Sequence, residues 1–512
     1  MLCRNYCRGW WFLILILNSA LTMIRTLYKE FLTVLFAVLL ITGFTACEDD
    51  FLSENSGKVL VFSQDTLAFD TVFTSVGSAT SKILVYNPHN KAFKINNINL
   101  SGGSASSFRI NVDGAISSDN SFNDIIIRAK DSLYIFVEVT IDPLQVNAPV
   151  LVQDSIMFSF GNARQRVLLE AYGQDMVPLR DVEIKNDITL NADKPYLIYG
   201  DLTVDSAKTL TLSPGCKLYF HNNARLVVYG NLHAEGTYEA PVTMQGDRLD
   251  KIKFVTPIPY KYVAGQWGGI YLLSKRGQHL LKHVNISSGY VGIYFYNNDL
   301  RYRPNLEIVN SVIHNSLLYN VVALNGDLTV VNSEISNSGS YTVFLSGGRH
   351  KFYHCTVVNY FNLSPAQPVS RDKTPAVMLM DLNRTLPMET VFQNCIVTGT
   401  STYEFTLASK FQDKYRGDIR NSYIRRPEPS ELTIFNDIKW YQQNDTVFKN
   451  TRFDYEEGKY FDFTPDSVSP ACGLANPVIS AQFPLDLHGK SRLNDGAPDA
   501  GAYEWYPTQS AE

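Results

Sequence analysis

The chain has 512 residues, with 45 Lys or Arg against 50 Asp or Glu and a formal net charge of −5, and no stretch of it forms a basic stripe; nucleic acid is therefore excluded as a partner. The seven cysteines form no CxxC pair and no zinc spacing, so neither a metal site nor a disulfide scaffold is indicated, and no cofactor is implied. The length allows two or more domains, and the supply of Gly, Asn, Ser, Thr, Tyr and Phe with few amphipathic helical patterns after residue 50 points to an all-β protein.

Residues 1–22 and 23–44 each hold an apolar run behind basic residues. Met23, Arg25 and Lys29 followed by the apolar run 31–44 make a complete signal peptide, so translation is expected to start at Met23. A membrane-spanning helix is the weaker reading, because neither run reaches the roughly 20 apolar residues that spanning requires. The string GFTAC at 43–47 resembles the lipobox of bacterial lipoproteins, although Phe44 replaces the usual Leu. That resemblance implies a signal peptide over 1–47, a diacylglycerol on the Cys47 thiol, and attachment to a membrane through lipid alone. Glu48, Asp49 and Asp50 open a tether over 48–57 and resemble the surface-export signal of some Gram-negative lipoproteins. The expected location is the outer membrane, facing the cell surface, with the periplasmic face as the alternative. Asp65, Asp70, Asp131, Asp154, Asp205, Asp445 and Asp466 each precede Ser or Thr and a small apolar residue. This resembles an O-glycosylation sequon, and it equally fits turns that precede strands.

Over 58–175 the pattern is strand-like throughout, with runs at 59–62, 68–73, 82–87, 93–100, 124–128, 132–141, 154–160 and 166–171 separated by Gly, Asn, Asp and Pro. This density of short strands predicts an immunoglobulin-like β-sandwich. Asp131, Ser132, Leu133 and VEVTIDP at 137–143 resemble a choice-of-anchor or ASH-type immunoglobulin-like domain, which implies a spacer or docking module. Residues 176–195 read as a linker leading into a different architecture.

That architecture is a repeat. Six segments align on His283, Asn310, Asn332, His354, Asn394 and Asn421, mostly about 22 to 27 residues apart, which is a solenoid period. Two residues before each anchor stand Leu281, Ile308, Val330, Phe352, Phe392 and Ile419; three after it stand Ile286, Ile313, Ile335, Val357, Val397 and Ile424. A unit this short cannot bury its apolar face alone, so neighbours must stack, and β-branched columns favour strands over leucine-rich units. Asn at a bend tolerates unusual backbone angles and can bond the amide of the next coil, so the six anchors are expected to form a structural ladder. Upstream, LIYGDLTV (197–204), LTLSPGCKLYF (210–220), LVVYGNLHA (226–234) and QWGGIYL (266–272) resemble the opening coils of right-handed parallel β-helix proteins of the pectate-lyase-like superfamily. The helix is expected over 196–455. Trp267 reads as a packing residue, with a sugar platform as the sharper alternative. Cys355 and Cys395 share a register on neighbouring coils, and buried thiols are preferred to a disulfide.

The tail, with DLHGKSR at 486–492 and PDAGAYEW at 498–505, resembles the C-terminal segment of many bacterial β-helix proteins, so 456–512 is expected to cap the helix end through Asp486, Arg492, Asp499, Tyr503 and Glu504. Two departures from the repeat are candidate binding loops: 362–375, and 408–420 with Lys410, Asp413, Lys414, Arg416, Asp418 and Arg420. Lyases and hydrolases of this fold need grouped carboxylates. Asp381, Asp413 and Asp418 are the candidate catalytic acids, and Asp381 is placed on a different coil edge. The favoured reading is a non-catalytic surface module for extended polysaccharide or a cell-surface protein; the alternative is a polysaccharide lyase or glycoside hydrolase.

Overall fold

A computed structural model describes Lys29 and residues 58–252, 257–361, 374–382, 385–408, 414–430, 433–453 and 460–506. Apart from Lys29, the signal peptide with Cys47 lies outside the described residues, as do the tether and Asp413.

The N-terminal part is a β-sandwich of two five-stranded sheets. One sheet runs Val61–Phe62, Ser81–Tyr86, Ser132–Val139, Phe108–Val112, Ala115–Ile116; the other runs Thr66–Phe73, Ala163–Gln174, Val150–Phe160, Phe93–Leu100, Ser121–Ile127. Strict alternation drives the packing: in Ser132–Val139 every second residue from Leu133 to Val139 points inward. Phe93, Phe158 and Phe160 fill the interior, with the Phe93 and Phe160 rings meeting edge to face at 5.0 Å. Asn87 is wholly buried, and its amide reaches the carbonyls of Lys91, Ile127 and Arg128. Phe108–Val112 does not stand out in the sequence, because Arg109 and Asn111 at its outward positions make a short strand look like loop.

The rest is a parallel β-helix with three strands per turn, each paired with the equivalent strand of the next coil. Sheet A lies before the bend (Gln278–Lys282, Asn305–Val309, Asp327–Val331, Gly348–Tyr353, Met388–Gln393). Sheet B lies after it (Val284–Ser287, Val312–Ser316, Glu334–Ser338, Thr356–Asn359, Ile396–Gly399). Sheet C closes the coil (Gly269–Leu272, Val291–Tyr296, Tyr319–Leu324, Val343–Ser346, Val377–Leu379, Phe405–Leu407). Ile286, Ile313, Ile335, Val357, Val397 and Ile424 pair in one continuous row, and each is at most 1% exposed. Leu281, Ile308, Val330, Phe352, Phe392 and Ile419 make a second internal row. Rungs are added at both ends of the repeat. Val177–Ile184 already pairs in parallel with Tyr196–Val204, so residues read as linker form the first rung, and Phe435–Trp440 pairs with Tyr415–Ile424 as the last one.

All six anchors adopt the left-handed backbone conformation, with φ between 49° and 56°. That conformation costs most L-residues about 1–2 kcal/mol, and Asn, whose side chain bonds locally, tolerates it best. The bend turns sheet A into sheet B, and the side chains then bond between coils: Asn332 Nδ2 donates to Asn310 Oδ1 (2.8 Å), Asn310 Nδ2 to His283 Nε2 (3.2 Å), and Asn394 Nδ2 to His354 Nε2 (2.9 Å). The next column repairs what the bend breaks. Ser311 and Ser333 hydroxyls accept from the backbone N–H of Val284 and Ser311 on the preceding coil, and Ser422 does the same for Cys395. Cys355 and Cys395 occupy this column as free, buried thiols, each pointing its sulfur at the carbonyl two residues back as the serines do.

Candidate functional site

Each sheet of the helix has an inner face in the core and an outer face, and the three outer faces differ. On sheet A the outward row is Glu307, Thr329, Lys351, Val391 and Asp418, a mixed polar surface. Asp418 is held by Arg420 and accepts from Gln393 Nε2 (3.0 Å). Asp381 follows the sheet C strand Val377–Leu379 and accepts from Thr385 Oγ1 (2.7 Å). The two acids thus belong to different sheets, each with its own partner, and Asp413 lies outside the described residues along with 362–373 and 409–412 of the candidate loops. Among the described residues, no group of three or more His, Cys, Asp or Glu could hold a metal ion.

On sheet B the outward column is Val312, Glu334, Thr356, Ile396 and Tyr423, and the protein's own C-terminal segment lies on it. The tail caps the helix from the side of the coils, where the sequence places it over the open end. Ala471, Leu487, Ala500, Ala502 and Tyr503 pack with Val358, Ile396 and Tyr423. Tyr503 donates its phenol proton to the buried Glu334 carboxylate, and Ala502 N–H donates to Thr356 Oγ1 (2.9 Å). Arg492 enters the ladder itself: Nη2 donates to Asn332 Oδ1 (2.5 Å) and Nη1 to Glu504 (3.0 Å). Asn394 Oδ1 accepts from Asn476 N–H (2.8 Å), and His354 Nε2 lies 3.0 Å from Ser480 Oγ.

The acids of the tail motif are spent on its own backbone. Asp486 Oδ1 accepts from His488 and Lys490 amides and its Oδ2 from Glu504 N–H; Asp499 accepts from Gly473 and Trp505; Glu504 accepts from Asp499 N–H. Burial pushes the Glu504 carboxyl up to about 8, and burial also raises Glu334 and holds His354 well below the ordinary imidazole range. These groups form a structural clamp. The pattern of outward apolar residues on sheet B was the available signal that something covers it.

Sheet C carries aromatic rings outward. Its outward register row reads Val227, Tyr271, Tyr294, Val322, Phe344 and Met378 over successive coils. Tyr271 and Tyr294 rings lie 5.7 Å apart, Tyr294 and Tyr296 6.1 Å, and Tyr319 stacks on Tyr341 at 5.9 Å and 10°. Phe344 touches both Tyr319 and Tyr341. Tyr290 stands at the start of this face, 45% exposed, while the row's rings are half-buried against each other. Arg225, paired with Asp201, extends the face over Tyr271. Burial raises the Tyr271 and Tyr294 hydroxyls above the ordinary phenol range, so both rings are neutral donors near neutral pH.

Trp267 takes no part in this face. It is 1% exposed, stacks on Phe220 at 4.2 Å and donates Nε1–H to Ser287 O (2.8 Å), so it is a core residue. Glu404 and the turn asparagines were not singled out in the sequence. Glu404 is fully buried and accepts from the amides of Ala376 and Ser401; Asn320 and Asn359 bond turn backbone on neighbouring coils.

These elements define an all-β protein in which an immunoglobulin-like sandwich precedes a parallel β-helix. No family model and no curated protein matches the sequence. Among solved structures, it is similar over 23% of its length to a family 123 glycoside hydrolase from Clostridium perfringens, described for glycolipid glycan hydrolysis, at 11% identity and a TM-score of 0.16; the match spans 26% of that hydrolase. It is similar, again over 23%, to the seventh PapD-like (ASH) domain of human CEP192, covering 84% of that domain at 11% identity and a TM-score of 0.15.

Proposed function

We propose that this is a lipid-anchored cell-envelope protein whose β-helix is a binding scaffold, with the aromatic outer face of sheet C as the site and an extended carbohydrate as the first ligand class, another surface protein being the second. The observation that carries the reading is the run of Tyr271, Tyr294, Tyr296, Tyr319, Tyr341 and Phe344 over consecutive coils. Strands in adjacent coils stand about 4.8 Å apart, so the Tyr271–Tyr294–Tyr296 group and, past Val322, the Tyr319–Tyr341–Phe344 group make two aromatic patches along the helix axis that one extended chain can span. Tyrosine supplies an apolar face and a polar rim in one rigid side chain, which suits the mixed surface of a sugar ring. The lipobox at Cys47 supports placement in the outer membrane.

Glycan-array binding by the whole protein in detergent tests this. The wild type retains a family of extended glycans, and Tyr271→Ala combined with Tyr294→Ala weakens retention at least about tenfold. Unchanged retention by that double variant rejects the reading. Product analysis on the same glycans addresses the lyase or hydrolase alternative: cleavage that survives Asp381→Asn and Asp418→Asn removes those acids as its catalysts.

A further inference from the structure

The outer face of the first sandwich sheet is unusually apolar for a surface that faces water. Antiparallel register places Val61 beside Tyr86, Leu84 beside Tyr134, and Lys82 beside Phe136. The Phe108–Val112 and Ala115–Ile116 strands continue the sheet beyond Tyr134, ending at Ile116. Ile116 is 83% exposed, Val61 50%, Tyr134 43% and Phe136 37%. The Tyr134 and Phe136 rings stack at 6.3 Å, and the Lys82 ammonium lies 5.4 Å from the Tyr134 ring. Lys82 and Arg109 are the cations on this face, and Glu138 lies at the end of the strand far from Val61.

Two further facts say what covers it. The chain comes into the sandwich through this sheet: Val61–Phe62, the first described strand, is its edge strand. Between Cys47 and Lys58 the sequence leaves a tether of ten residues, 48–57, which extended reaches roughly 35 Å. Five strands span only about 19 Å. An anchor at Cys47 therefore holds this face within reach of the bilayer, and the tether is long enough for the face to lie flat on it.

We infer that the Val61, Leu84, Tyr134, Phe136 and Ile116 face docks on the phospholipid surface that holds the anchor, with Tyr134 and Phe136 in the headgroup region and Lys82 on lipid phosphate. Aromatic rings favour that interface, and a single basic residue near an anionic surface adds to the attraction. The inference rests on the anchor reading, so its test carries an arm that does not need lipidation.

Phe136→Trp and, on the outer face of the opposite sheet, Ile126→Trp are each placed in the whole protein and bound to vesicles of phosphatidylethanolamine and phosphatidylglycerol containing brominated lipid. In a parallel arm, residues 1–47 are replaced by a histidine tag held on nickel-chelating lipid. The added emission of Phe136→Trp falls roughly twofold or more in both arms while that of Ile126→Trp does not change, because bromine quenches only rings within the interface. No quenching of Phe136→Trp in the tagged arm, or equal quenching of both positions, overturns the inference. An unmodified Cys47 by mass spectrometry together with quenching in the tagged arm refutes the anchor and leaves the docking face standing. Tyr134→Ser with Phe136→Ser, followed by release of the tagged protein with imidazole, gives the second readout: the wild type leaves the vesicles severalfold more slowly than the variant.

Discussion

Sheets B and C belong to the same coils and both turn apolar residues outward, yet the chain treats the two faces differently. Over sheet B it folds back its own tail, satisfying Glu334, Thr356, Asn332 and Asn394 one by one with Tyr503, Ala502, Arg492 and Asn476. Over sheet C the rings meet chiefly one another, Tyr271 with Tyr294 and Tyr319 with Tyr341, with Arg225 over Tyr271 at one end. Outward apolar residues on a solenoid therefore have two physical outcomes, burial by a covering segment or mutual stacking of partly exposed rings. The second leaves the edges of each tyrosine able to meet a ligand.

Breaking the covered face has the largest effect. Arg492→Ala leaves Glu504 Oε2 and Asn332 Oδ1 without their buried donor, at about 1–3 kcal/mol for each acceptor, read by chemical denaturation; Arg492→Met, which fills the space, costs less. Below the tail, Ile335→Ala opens a hole in the internal row and costs about 2–5 kcal/mol by the same measurement. At the bend, Asn310→Val forces a β-branched residue into the left-handed region, with a loss of about 1–2 kcal/mol, whereas Asn310→Gly keeps the bend and forfeits only the ladder bonds, about 1 kcal/mol.

The clamp also titrates. Glu504 in the fold sits above its ordinary value, so its contribution is full below pH 4.5 and is lost as pH rises through about 8. His354 sits below its ordinary value, so its contribution is present above pH 6.5 and is lost as pH falls below that. Melting temperature against pH should fall on the alkaline side, and Glu504→Gln should flatten that limb while leaving the acid limb in place. An unaltered alkaline limb in Glu504→Gln removes Glu504 from the clamp.

What the sequence reveals of this contrast follows from locality. The internal row from Ile286 to Ile424 and the polar anchors recur at a readable period, because every coil must meet the same interior and the same bend. Val177–Ile184 escapes notice because Pro178, Arg180 and Asp181 look like linker, and it is recognisable as a strand only through its pairing with Tyr196–Val204. The tail's position is likewise illegible: Arg492 and Asn332 are 160 residues apart, and nothing in DLHGKSR says whether it closes an end or a side. The tyrosines of sheet C are visible singly, but that Tyr271 meets Tyr294 and Tyr319 meets Tyr341 on neighbouring coils depends on register, and the unequal coil lengths hide it until the strands are paired.

The most direct measurement pairs the two faces in one experiment: melting temperature and ligand affinity, by calorimetry, for Arg492→Ala and for Tyr319→Ala combined with Tyr341→Ala, using a glycan that the wild type retains. A binding face on sheet C, separate from the clamp on sheet B, requires that the first variant melt lower with affinity unchanged when measured below its transition, and that the second lose at least about tenfold in affinity with its melting temperature nearly unchanged. Equal affinity for wild type and the tyrosine double variant would contradict it.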